Sequence, residues 1–185
     1  MEPGYVWGRG VLVVLMVVLS SYTDLRYQKI RNVHTFPAMC AGLLLGGLER
    51  GWSGLGWAGA GLGLGLLLMG VLFVLGVMKA GDVKLAMALG ALCGPGEIFR
   101  GVILSFMLYL PVGVATLMAR SGVRNLWKAL KRIGWLVYTA IHPLLKMAPL
   151  DEKGMTMAPF GMVLGVAVLL VHFADWLNWK TVWGQ

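Results

Sequence analysis

Apolar residues run along this chain in long blocks, separated by short polar or glycine-rich breaks. Six blocks can be read, at residues 5–23, 33–48, 54–78, 83–95, 98–119 and 155–177. A helix crossing about 30 Å of bilayer hydrocarbon needs roughly 20 predominantly apolar residues. The pattern therefore predicts an all-α polytopic bundle of about six transmembrane helices, forming one domain over 1–185. The second and fourth blocks are short for full crossings and call for a thinned bilayer or the shelter of neighbouring helices. Gly94-Pro95-Gly96 is a strong turn signal between the fourth and fifth. The first block leads into Ser20-Ser21-Tyr22-Thr23-Asp24 without a small-x-small cleavage site, so it is expected to stay as a helix and not to be removed as a signal peptide.

Composition agrees. Of 185 residues, 58% are hydrophobic and 13% charged, with a mean hydropathy of +0.77. A soluble domain of this size would leave large exposed apolar patches. The 27 glycines include a dense run in 54–70, where Gly59/Gly63 and Gly61/Gly65 both have small-xxx-small spacing. That spacing predicts close helix packing in lipid and not a phosphate loop. Cys40 and Cys93 lie in apolar runs with no CxxC pair, so neither a zinc site nor a disulfide framework is expected.

The net charge of +8 changes the picture only through its distribution. Loops 24–32, 79–84 and 120–154 carry twelve of the sixteen basic residues, while the other side carries Arg9, Arg50, Arg100 and Lys180. Acidic residues divide four and four. The positive-inside rule then puts the richer side in the cytoplasm and both termini outside. The location expected is the cytoplasmic (inner) membrane. Partners expected are anionic lipid headgroups and not nucleic acid. Within 120–154, Leu126, Leu130, Ile133 and Val137 repeat at helical spacing, with Arg124, Lys128, Lys131 and Arg132 largely off that stripe. This predicts a basic amphipathic helix on the cytoplasmic leaflet, ended by His142-Pro143; an ordinary solvated loop is the plainer reading.

Carboxylates near hydrocarbon are expensive and each needs an account. Glu2, Glu49, Glu97 and Asp175 fall near outer block ends, and Asp151 and Glu152 fall in a loop. Asp24 ends the first block and Asp82 begins the fourth. Two intervening crossings return Asp82 to the face of Asp24, so the two carboxyls share one depth. A close pair of carboxyls disfavours double ionisation. One member is then a base toward water and the other an acid toward a scissile amide. The plainer alternative has equal weight on spacing alone: Asp82 caps a helix and Asp24 is an interfacial residue. Gly81 permits close backbone approach beside Asp82. Lys84 leaves the helix in another direction and is expected to reach the interface. His34, His142 and His172 are scattered, Ser105 has no obvious partner, and three metal ligands cannot be assembled. No cofactor and no metal is expected. The 12 methionines read as packing filler.

At these residues the chain resembles the type IV prepilin peptidases, the Gly-x-Gly-Asp aspartic membrane proteases. Ala80-Gly81-Asp82-Val83-Lys84-Leu85 is similar to the signature at that family's second catalytic Asp. The segment from Asp24 to Asn32 resembles the surroundings of the first, and Ala158-Pro159-Phe160-Gly161 the Pro-Phe/Tyr-Gly motif that opens the last helix. Lys79 stands where the first signature Gly is expected, and Arg31 where Pro usually precedes Asn32. The resemblance is to the short branch that serves Flp/Tad-type pili, or to preflagellin peptidases. N-methylation is not expected without a cysteine-bearing N-terminal region. The resemblance implies an aspartic endopeptidase that removes the short basic leader of prepilin-like proteins. Asp24 and Asp82 would be its dyad, supported by Gly81, Lys84, Asn32, Pro159 and Gly161. Two other readings stay open: a membrane scaffold whose protease has decayed, favoured by Lys79, and a small cation transporter.

Overall fold

The computed structural model describes residues 3–27, 30, 32–74, 78–121 and 160–183. All described elements are helices: α1 (Pro3–Tyr27), α2 (Asn32–Val74), α3 (Ala80–Cys93), α4 (Pro95–Ser121) and α5 (Phe160–Trp183). The amphipathic segment expected at 120–154 lies almost wholly outside the described residues, as does Pro159.

α2 is one element only in name. Arg50 (φ −137°) and Gly51 (φ 58°) are non-helical and break it into two arms. Gly51 supplies the left-handed conformation that a side chain would resist. The arms fold back on each other, with Gly46 packed against Gly54 and Ala58. The two arms match the second and third apolar blocks. Gly61, on the second arm, lies against Gly90 of α3; a Cβ on Gly61 would fall 2.8 Å from the Gly90 carbonyl carbon. Gly65 meets Ala86 at 2.7 Å in the same way, and Gly42 of the first arm meets Ala91 at 2.7 Å. Small residues thus let both arms press their backbones onto α3. Gly59 and Gly63, at equal spacing, face open space.

α3 is the hub and touches every other helix. Its residues Leu85, Ala86, Ala88, Leu89, Ala91, Leu92 and Cys93 are all buried. A helix apolar all round needs neighbours all round. At 14 residues it is about 21 Å long, shorter than the hydrocarbon layer. Its shelter inside the bundle is what the short fourth block required. α1 shows the opposite distribution: Val13, Met16 and Val17 face inward, while Val11, Val14, Leu15, Val18 and Leu19 are exposed. That outward apolar face suits lipid. Among the described residues, three elements are long and apolar enough to cross a membrane, at Gly8–Tyr27, Asn32–Val74 and Phe160–Leu177. An all-helical fold is therefore what the molecule has; a total of six crossings goes beyond these three elements.

Candidate active site

Few polar side chains are fully buried among the described residues. Ser20, Thr23, Thr35 and Ser105 are, and each hydroxyl bonds a carbonyl in the preceding turn of its own helix. That is the usual way a hydroxyl is satisfied inside a helix. Ser105, which had no obvious partner in the sequence, donates its hydroxyl to the Val102 carbonyl at 2.7 Å. Asp24 and Asp82, each 5% exposed, instead accept from backbone amides, Asp24 from another helix and Asp82 from the N-cap of its own.

The two aspartates do not sit at the very edges of their helices. α1 continues past Asp24 to Tyr27, because Leu25 and Tyr27 extend the apolar face before the chain leaves. α3 starts two residues before Asp82, with Lys79 as its N-cap. The Lys79 amide donates to Asp82 Oδ2 at 3.3 Å. Asp82 thus does have the capping role that the plainer reading assigned to it, though from inside the first turn. That bond uses one oxygen, and Oδ1 points elsewhere.

It points toward Gly161, in the first turn of α5. A Cβ built on Gly161 would lie 3.0 Å from Asp24 Oδ2 and 3.3 Å from Asp82 Oδ1. The two carboxylate oxygens are therefore separated by no more than the sum of those distances. Asp24 Oδ2 also accepts from the Met162 amide at 3.3 Å. The free N–H groups of a first helical turn suit a carboxylate. α5 is pinned in this place by Phe160, which is buried and packs its ring against Phe106 (centroids 5.6 Å) and Tyr109 (5.0 Å, edge-on). The Phe-Gly pair thus has a physical meaning. Phe160 anchors the helix start, and Gly161 leaves room for two carboxyls.

Ile30, between α1 and α2, closes the arrangement. It lies 2.7 Å from the Gly161 Cβ position and 3.1 Å from that of Gly81. The close approach that Gly81 permits is thus made by Ile30 of the chain itself. Lys84 does not pair with Asp82; its Nζ donates to Asn32 Oδ1 at 2.9 Å and ties α3 to the start of α2. Six of the seven residues singled out in the sequence, Asp24, Asp82, Gly81, Gly161, Asn32 and Lys84, fall at one end of the bundle; the seventh, Pro159, lies outside the described residues. Ile30, Tyr109 and Met162 were not singled out. Two are apolar and one is an aromatic on an apolar helix, so only their contacts distinguish them.

A match to the type IV leader peptidase family covers residues 11–114, more than half of the chain and including both aspartates. The chain belongs to that family. No curated protein and no solved structure matches it. Membership and the apolar helices together describe a membrane protein of the leader-peptidase kind. The matched stretch ends before α5, so the Phe160–Gly161–Met162 contribution stands on geometry.

Proposed function

We propose that this leader peptidase family member is an aspartic endopeptidase with Asp24 and Asp82 as its dyad. It would cleave the short basic leader of prepilin-like proteins at the cytoplasmic face of the inner membrane. The observation that carries this reading is the convergence of both carboxyls on Gly161. Two buried carboxyls this close resist double ionisation. The pair then holds one proton between its members. The ionised carboxyl takes a proton from water as it attacks the scissile carbonyl. The protonated one hydrogen-bonds that carbonyl, then gives its proton to the leaving amine. Either aspartate fits either part, since each accepts a backbone N–H at the start of a helix. The orientation and the six crossings belong to this proposal, with the arms of α2 counted separately and α3 and α4 completing the bundle.

The experiment is co-expression with a prepilin-like substrate. Asp24→Asn and Asp82→Asn should each abolish leader removal while the protein still accumulates in the membrane. Normal processing by either variant would remove the dyad. A second reading, a scaffold with a decayed protease, draws on Lys79 in place of the signature Gly. If wild type is inert and Lys79→Gly gains cleavage, decay is supported.

A further inference from the structure

At the end of α3 away from Asp82, eleven residues or about 16 Å along the helix, a second polar cluster lies among the apolar side chains. Cys93 closes α3, Glu97 lies in the first turn of α4, and His172 comes from α5. The turn at Gly94 (φ 82°) brings Cys93 and Glu97 together. His172 Nδ1 lies 2.7 Å from Glu97 Oε2, with the Cys93 thiol beside them. One donor atom from each of the three lies within 4.8 Å of the others. Cys93 is 1% exposed, while the Glu97 and His172 side chains are each 20% exposed. The thiol is therefore at the back of the cluster, and the carboxylate and imidazole stand at its mouth.

We propose that Cys93, Glu97 and His172 form a metal site for a borderline-soft divalent ion of the zinc class. Thiolate, imidazole and carboxylate are the three side-chain types that zinc takes, at about 2.3 Å for sulfur and about 2.0–2.2 Å for nitrogen and oxygen. Around one tetrahedral ion those lengths set ligand atoms about 3.3–3.6 Å apart, so the imidazole–carboxylate pair at 2.7 Å opens slightly and a donor pair at the 4.8 Å limit closes by about an ångström. Charge also balances. A thiolate, a carboxylate and a neutral imidazole around a divalent ion give a neutral site, which is what a surrounding of packed helices tolerates. On loading, the thiol proton and any proton on His172 leave to solvent, three metal–ligand bonds replace the present His172–Glu97 hydrogen bond, and water fills the fourth position. The neighbouring cation Arg9 is already offset by Glu49 at 2.7 Å. Asp175, on the same helix as His172, is held by Arg100 at 2.6 Å and is not free to compete. A bound ion would lock the α3–α4 corner to α5, far from the dyad, so the proposal does not rest on the peptidase reading.

The test uses the full chain in detergent, stripped with a chelator and titrated with Co²⁺ and then Zn²⁺. One equivalent of Co²⁺ should give a thiolate charge-transfer absorption that Zn²⁺ displaces, and Zn²⁺ should raise the melting temperature. Cys93→Ser should abolish the absorption and weaken Zn²⁺ binding at least tenfold, whereas Cys40→Ser should change neither. Should Cys93→Ser fail to fold, Glu97→Gln and His172→Asn give the same reading through a tenfold or greater loss of affinity. The proposal is overturned if stoichiometric Co²⁺ gives no such absorption, if the absorption survives in Cys93→Ser or vanishes in Cys40→Ser, or if both Glu97→Gln and His172→Asn bind Zn²⁺ as tightly as wild type. Any of these leaves a hydrogen-bonded ion pair with a thiol beside it.

Discussion

Gly161 is the residue on which the candidate site turns. An added methyl would meet Ile30 at 2.7 Å and both carboxylates within 3.3 Å. Ile30 has a flexible end and can yield, but the carboxyls are held by the Lys79 and Met162 amides. Gly161→Ala is therefore expected to lower leader processing tenfold or more, about 1.4 kcal/mol in the barrier, with little change in melting temperature. Full processing by Gly161→Ala would argue that the carboxyls do not work at this spot. Phe160 differs in kind. It is a buried ring between two others, and Phe160→Ala should cost about 3–5 kcal/mol of stability, read as a fall in melting temperature. The sequence made the aspartates legible because carboxyls are rare and costly at membrane depth. It could not show Ile30, Tyr109 or Met162, since an apolar side chain or a backbone amide gains its role only from what the fold sets beside it. Cys93, Glu97 and His172 were hidden for a related reason. Each comes from a different helix, and no spacing rule joins 93 and 97 to 172.

Among the helices, the glycine pattern separates two stripes that the sequence left equivalent. Gly61 and Gly65 face α3, while Gly59 and Gly63 face open space. Gly63→Ala should be neutral or slightly stabilising, because Ala is the better helix former. Gly61→Ala should destabilise by about 1–3 kcal/mol through overpacking against Gly90. Thermal unfolding in detergent checks both, and equal effects would mean that the arms of α2 do not press on α3 as described. The break between those arms was legible as a gap between apolar blocks, since Glu49-Arg50-Gly51 interrupts them. Its sharpness was not, because a left-handed Gly51 leaves no mark in composition. The helix ends were the least legible. α1 runs through Asp24 because polar residues can continue a helix when one face still packs.

For the whole molecule, the two ends of the bundle differ in what they do with charge. At one end two carboxyls converge on one glycine, and among the described residues neither forms an ion pair with a base. At the other, Arg9–Glu49, Arg100–Asp175 and His172–Glu97 pair acid with base. If the basic loops are cytoplasmic, an impermeant maleimide added to intact cells should label Trp52→Cys, at the 89% exposed bend of α2, and should spare Tyr27→Cys until the cells are opened. The reverse pattern would invert the orientation. An all-helical membrane bundle was legible from apolar block length alone, because lipid imposes that length. The arrangement of helices around α3 was not, because block length says nothing about neighbours.

The hydrogen bond from Met162 to Asp24 joins parts of the chain that leave the ribosome far apart in time. Asp24 emerges first, the arms of α2 come next, and Asp82 follows on a helix too short to lodge in lipid without them. Phe160, Gly161 and Met162 arrive last. A nascent chain therefore carries both carboxyls well before it carries the helix start that gathers them. On the proposed reading, a protease assembled in this order should stay silent while it is being made, and a chain stopped before residue 160 should insert yet leave every leader uncut.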